Sequence, residues 1–141
     1  MGTVRNILVS KGNIVHSVDA NVTVYDALAK LMDLQIGALL VFDDGKYIGI
    51  FTERDYARKV ILKGRASRDT IVREICDLHP TLTPDTRVED IMQMMVDKRF
   101  RHFPVIDKGQ IVGVISIGDV MKHIHDEQRF IIEQQEHYIH S

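Results

Sequence analysis

The 141-residue chain has one cysteine, Cys76, so no disulfide can close within it, and its composition suits a reducing compartment. Long apolar runs are missing. The longest, residues 38–42, falls far short of the roughly 20 residues a helix needs to cross a bilayer. Neither sign of charge is in excess: 18 Lys and Arg against 20 Asp and Glu leave a net charge of −2. That balance gives no general attraction to nucleic acid. The opening residues Met1-Gly2-Thr3-Val4-Arg5-Asn6 lack the charged-then-apolar layout of a secretory signal, and the expected location is cytoplasmic. Catalytic signatures are absent too, with no Gly-x-x-x-x-Gly-Lys phosphate loop, no Gly-x-Ser-x-Gly elbow and no His-Glu-x-x-His. Cys76 and Ser116 are nucleophiles by type only, because no base can be placed beside either, and the chain is expected not to be an enzyme. The histidines do not make a metal site. His123 and His125 are two apart, nearly opposite each other on a helix, and His137 with His140 supplies only two ligands on one face.

What the sequence does contain is a repeat. Residues 24–60 set over 88–124 at a constant offset of 64 need no gap. Identities fall at Val24/Val88, Asp26/Asp90, Asp33/Asp97, Val41/Val105, Asp43/Asp107, Gly45/Gly109, Gly49/Gly113 and Asp55/Asp119. Upstream, Val4-Arg5-Asn6-Ile7 is similar to Val72-Arg73-Glu74-Ile75 at an offset of 68, which leaves four extra residues in the first copy around Lys11-Gly12-Asn13. Lys11 and Gly12 are read first as a surface loop, with a place in the lining of the pocket as the alternative.

Each copy carries the same punctuation. Val24, Ala27, Leu28, Leu31 and Met32 stand at i, i+3, i+4, i+7, i+8, as do Val88, Ile91, Met92, Met95 and Val96, which predicts an amphipathic helix in both. Thr23-Val24-Tyr25-Asp26 opens the first of them as a capping box. Met92, Met94 and Met95 are read as core filler. An apolar run follows, 38–42 or 103–106, then a two-residue turn at Asp44-Gly45 or Lys108-Gly109, then a second strand over 47–51 or 111–115. A second helix starts at Thr52 or Ser116. Lead strands are predicted at 14–18 and 81–83. The expected fold is α/β, two tandem β-α-β-β-α repeats packed with pseudo-two-fold symmetry, since one such unit is too small to cover both faces of its sheet. The expected boundaries are 1–64 for the first repeat, 65–69 for a polar linker, 70–126 for the second repeat and 127–141 for a helical tail. Apolar Phe130, Ile131, Ile132, Tyr138 and Ile139 suggest that the tail packs on the body or on a second subunit.

The stretches Gly49-Ile50-Phe51-Thr52-Glu53-Arg54-Asp55-Tyr56, Arg101-His102-Phe103-Pro104-Val105-Ile106-Asp107 and Gly113-Val114-Ile115-Ser116-Ile117-Gly118-Asp119-Val120 resemble the CBS (cystathionine-β-synthase-type) domain. Over nearly its whole length the chain is similar to the stand-alone CBS pairs of bacteria and organelles, which carry no attached enzyme or channel. The resemblance implies a homodimer that binds an adenine nucleotide in the cleft between repeats and passes its occupancy to a target protein. AMP is the first choice of ligand, with ADP, ATP or NAD(H) as others, in a regulatory, energy-sensing role. Asp55 and Asp119 are then the acceptors for ribose hydroxyls, Thr52 and Ser116 the phosphate contacts, and Arg54 a neighbour in the same signature. Arg101 and His102 are implied near phosphate, with Arg99 just outside. The first copy has Gln35, Gly37 and Ala38 at the positions of Arg99, Arg101 and His102, so two equivalent sites are not expected.

The residue types suit those roles. An ionised carboxylate only accepts, and a ribose diol offers two donors. A hydroxyl at the first turn of a helix stands among free N–H groups that favour an anion. Arginine adds a charged fork, and Ile117 an apolar cover for a base. Other readings use the same residues. Thr-x-x-Asp and Ser-x-x-Asp are also plain capping boxes. Arg99, Arg101 and His102 also read as a solvated cluster, or, with Arg129, as a weak nucleic-acid patch that the net charge opposes. The alternative function is a structural protein–protein interaction module with no physiological nucleotide. No nucleic acid, membrane or metal partner is expected.

Overall fold

The computed structural model describes residues 1–140, the side chain of His140 excepted. The elements run α1 (Val4–Lys11), β1 (Ser17–Asp19), α2 (Val24–Leu34), β2 (Ala38–Asp43), β3 (Lys46–Thr52), α3 (Glu53–Lys59), α4 (Val88–Lys98), β4 (His102–Asp107), β5 (Gln110–Ser116) and α5 (Ile117–His140). Short 3₁₀ turns occupy Ile61–Lys63 and Val72–Glu74. This is β-α-β-β-α followed by α-β-β-α, with one helix ahead of the first copy.

The chain forms two compact units, and they cut across the order of the repeats. One joins Met1–Ile14 to Pro80–Ser141; the other is Val15–His79. The repeat boundaries follow residue types, whereas the units follow what each segment is buried against.

In the Val15–His79 unit, β1 runs parallel to β2 and β2 antiparallel to β3. The Thr23 hydroxyl opens α2 by accepting the Asp26 N–H at 3.1 Å. One face of that helix buries Val24, Ala27 and Leu31 against Leu39, Val41 and Phe51, closed below by Val60, Val72 and Ile75. Asp44 and Gly45, both at positive φ (49° and 79°), make the two-residue turn that matches strand twist.

The other unit repeats this plan. β4 and β5 pair antiparallel through a turn at Lys108 and Gly109 (φ 53° and 77°), and α4 lays Val88 and Ile91 on Phe103, Val105 and Ile115. The ladder shifts register at Val105/Ile106 as it does at Val41/Phe42. The two lead strands differ. Residues 17–19 form β1, slightly later than expected, but the strand expected at 81–83 shrinks to a single bridge from Leu82 to Val105. Pro80 and Pro84 lack a ladder N–H, and the Thr83 N–H is turned inward to Thr86 Oγ1 at 2.9 Å. The place of a lead element is taken by α1, whose Val4, Ile7 and Leu8 are buried in this core.

The methionines divide. Met94 and Met95 pack against the core, whereas Met92 is exposed, because it lies on the rim of the α4 stripe. Helix α5 continues without a break into the tail, and there Phe130, Ile131, Ile132, Tyr138 and Ile139 are 50–84% exposed. They are not buried against the body, the first of the two places expected for the tail. Among the described residues no helix is long and apolar enough to cross a membrane.

An ion pair ties β2 to the turn at Val72–Glu74. Arg73 donates to Asp43 Oδ2 at 2.6 Å and to Asn21 Oδ1 at 3.1 Å. The Arg73 hydrogen bond holds the Asp43 carboxyl below its ordinary value of 3.8, against the opposing effect of burial. A carboxyl depressed on folding stabilises fully above its unfolded value and loses that contribution as pH falls through the lower folded value. The melting difference between wild type and Arg73→Met is therefore expected at pH 7 and should close below about pH 4. A difference that persists unchanged at pH 2 would mean that Arg73 acts through its bond to Asn21 and its packing, and not through Asp43.

Candidate functional site

The signature residues stand where each hairpin hands over to a helix. In the Val15–His79 unit, β3 ends at Thr52, which is opposite Ala38 in the ladder, and α3 begins at once. Thr52 Oγ1 accepts the Asp55 N–H at 3.1 Å, and Asp55 Oδ2 accepts the Thr52 N–H at 2.9 Å and its hydroxyl at 3.0 Å. This reciprocal cap consumes the inward side of both residues. Asp55 is 8% exposed. Its Oδ1 lies 3.6 Å from Lys59 Nζ, one turn on, and Lys59 also donates to the Ile75 carbonyl at 3.1 Å and to Asp77 Oδ2. Arg54 is exposed on the same first turn.

In the other unit, Ser116 is opposite His102, and α5 follows. Ser116 Oγ accepts the Asp119 N–H at 3.1 Å, and Asp119 Oδ2 accepts the Ser116 N–H at 2.8 Å. The Asp119 side chain is 22% exposed, twice the 11% of Asp55. Arg101, exposed, sits just before β4, and its carbonyl accepts the Ile117 N–H at 3.0 Å, which ties the start of α5 to it. The fold therefore brings Arg101, His102, Ser116, Ile117 and Asp119 to one corner. Arg99 stands apart from them in sequence and role: it is the exposed C-cap of α4, in a left-handed conformation (φ 58°), as Gln35 is for α2.

Two lysines were not singled out as site residues from the sequence. Lys59 was findable, since it stands at i+4 from Asp55 on a helix. For Lys11 the sequence leaves a surface loop and a pocket lining open; it is in fact the last residue of α1, and Gly12 caps that helix at φ 92°. Its ammonium lies 2.5 Å from Asp119 Oδ2 and 2.5 Å from the Val114 carbonyl oxygen. A groove of about 610 Å³ runs beside this pair, between α1 and the first turns of α5. Its charged groups are mixed and largely paired, Lys122 with Asp126 at 2.9 Å among them.

Burial, with the carboxylates of Asp77 and Asp55, pushes the Cys76 thiol up and away from the thiolate a nucleophile needs. Among the described residues no three His, Cys, Asp or Glu side chains converge as a metal would require.

Two hairpin-to-helix units of one design, each with a capped Thr/Ser-x-x-Asp corner, define a tandem repeat of the α/β class. The chain belongs to the CBS domain family, whose pattern it matches over residues 4–62 and 72–126. It is 42% identical over 123 residues to the mitochondrial CBS domain-containing protein CBSX3 of Arabidopsis thaliana, an alignment that covers 83% of this chain and 60% of that protein. This chain thus spans less than two thirds of that relative's length. It is 25% identical over 120 residues to YhcV of Bacillus subtilis, covering 85% and 84% of the two chains. A solved CBS-domain structure from Burkholderia ambifaria, described as a candidate signal-transduction protein, superposes with a TM-score of 0.84 at 42% identity, covering 89% of this chain and 96% of that one.

Proposed function

We propose that this chain is a non-catalytic regulatory module that binds an adenine nucleotide, AMP in the first place, at its Ser116–Asp119 corner. The observation that carries the reading is the contrast between the two corners. Asp119 keeps a solvent-facing carboxylate beside a hydroxyl, a helix start and two basic residues, Arg101 and His102. Asp55, with the same cap, is 8% exposed and has Gly37 and Ala38 where the second copy has Arg101 and His102. The ribose diol is held by Asp119, the phosphate by Ser116 and the N–H groups of the first turn of α5, with Arg101 or His102, neighbours that leave opposite faces, as the basic partner and Ile117 against the base. ADP, ATP and NAD(H) offer the same ribose and phosphate. Occupancy is passed on only through unequal affinity for two arrangements of the protein, which a target protein or a homodimer interface then reads. The signal-transduction description of the Burkholderia relative supports a regulatory role.

The test is a thermal-shift titration with AMP, ADP, ATP, NAD⁺, NADH and S-adenosylmethionine on wild type, Asp55→Ala and Asp119→Ala. A ligand at a hundred times its Kd adds roughly 2.7 kcal/mol, several degrees in a domain of this size. AMP is expected to raise the wild-type melt, Asp119→Ala to lose that gain, and Asp55→Ala to keep most of it. If no compound moves the melt, the nucleotide reading fails. The interaction-module reading then takes its place, supported by the exposed apolar side chains of Phe130, Ile131 and Ile139 on α5.

A further inference from the structure

Asp119 is not waiting empty-handed for a ligand. The oxygen that accepts the Ser116 N–H, Oδ2, is also the one held by the Lys11 ammonium at 2.5 Å. We propose that Lys11 is an internal competitor for this carboxylate, and that the competition makes the Ser116–Asp119 corner select nucleotides over nucleosides. The inference rests on the nucleotide-binding reading above and adds the residue that sets its specificity.

The argument is one of exchange. An ammonium–carboxylate bond between partly buried groups, here 31% and 22% exposed, is charge-assisted and stronger than a hydroxyl–carboxylate bond. A nucleoside that brings only its ribose diol must displace the ammonium and gives it nothing in return. Lys11 then keeps the Val114 carbonyl but has lost its counter-charge, and its side chain, 31% exposed, recovers only part of that from water. A nucleotide changes the balance. Lys11 Nζ and the Ser116 N–H meet on one oxygen, so the ammonium stands a hydrogen bond or two from the helix start where a phosphate would be held. The flexible four-carbon stem of lysine lets the displaced ammonium turn from Asp119 to that phosphate. The ion pair lost to the ribose is replaced by one to the ligand.

The other unit shows that this arrangement is not a general feature of the signature. Lys59 lies 3.6 Å from Asp55 Oδ1, but its bonds to Asp77 and to the Ile75 carbonyl do not involve Asp55. Removing Asp55 from its reach would leave Lys59 paired. Only at Asp119 does the lysine depend on the carboxylate that the ligand must take.

The test measures Kd for adenosine and for AMP by calorimetry on wild type, Lys11→Met, Lys11→Gln and Lys11→Arg. Wild type is expected to bind AMP at least about tenfold more tightly than adenosine. Lys11→Met should tighten adenosine by about tenfold and bring the two ligands within roughly threefold of each other, while Lys11→Arg keeps the wild-type preference. Ligand-free melts show which variants are folded, and Lys11→Gln, neutral and similar in length, replaces Lys11→Met if the latter is not. A preference that stays or widens in the neutral variant, with AMP still bound, overturns the competitor role and leaves the nucleotide reading intact. Failure of wild type and neutral variant alike to bind either compound overturns both.

Discussion

A chain lacking residues 1–13 is expected to show no cooperative melt near the wild-type temperature, although the cut removes nothing from the second repeat. Val4, Ile7 and Leu8 of α1 are 0%, 3% and 7% exposed, and their neighbours are Leu82, Val88, Ile91, Phe103 and Ile115. Burying side chains of this kind stabilises by about 1.5–3 kcal/mol each, so three contribute roughly 5–9 kcal/mol. That is comparable to the whole margin of a domain, about 5–15 kcal/mol. The backbone goes with them: the Val4 N–H donates to the Thr86 carbonyl and the Arg5 N–H to that of Pro84, both at 2.9 Å. The exposed Arg5–Asp85 pair matters far less. A graded version uses Ile7→Ala, expected to cost about 2–4 kcal/mol by transfer and cavity. Val9→Ala, at a position 83% exposed, should stay within about 0.5 kcal/mol. Circular dichroism melts read all three. A truncated chain that melts sharply where wild type does would show that the core closes without α1.

That expectation could not have been formed from the repeat alone. The hairpin turns were legible, because Asp44-Gly45 and Lys108-Gly109 have few other uses between apolar runs, and both adopt positive φ. The helix faces were legible in part from spacing: Val24, Ala27, Leu31, Val88 and Ile91 are buried, whereas Met32 and Val96 on the same stripes are 56% and 76% exposed. The placing of the leading segments was not. Residues 4–7 align with 72–75 and so count with the first repeat, yet Val4 and Ile7 are buried with Phe103, while Val72 and Ile75 are buried with Phe51. The copies have exchanged their leaders. An apolar triplet at helical spacing says which face is buried and nothing about the sheet that covers it.

The corner was legible to a similar depth. Thr52-x-x-Asp55 and Ser116-x-x-Asp119 do form reciprocal caps, so the bland reading of those residues is true whatever else they do. What the sequence could not convey is accessibility, the difference between a carboxylate sealed near Lys59 and one reached by Lys11 from a helix over a hundred residues away. Long-range partners leave no periodic trace.

The same limit applies to the signature glycines, which look interchangeable and are expected not to be. A methyl group on Gly49 would stand 2.9 Å from the Asp77 carbonyl oxygen and 3.1 Å from its carbon. Those atoms are backbone, fixed by the mutual bridge in which the Ile50 N–H donates to Asp77 O at 2.7 Å and the Asp77 N–H returns to Ile50 O at 3.1 Å. Relief requires that one strand move and the bridge loosen, and Gly49→Ala should cost about 2–3 kcal/mol. On Gly113 the added methyl meets Leu8 Cδ2 at 2.8 Å, the end of a side chain that can rotate, with no backbone atom near. Gly113→Ala should cost about 1 kcal/mol or less. Urea unfolding of the two variants reads the difference directly. Equal or reversed costs would mean that Leu8 is held as firmly as the Asp77 backbone, and that α1 is wedged against β5 with no slack. The expected order has a consequence for the corners as well. The Asp77 peptide that Gly49 admits carries the carboxylate that holds Lys59 near Asp55, so Gly49→Ala should disturb the sealed corner, whereas Gly113→Ala acts through Leu8 on the helix that ends in Lys11.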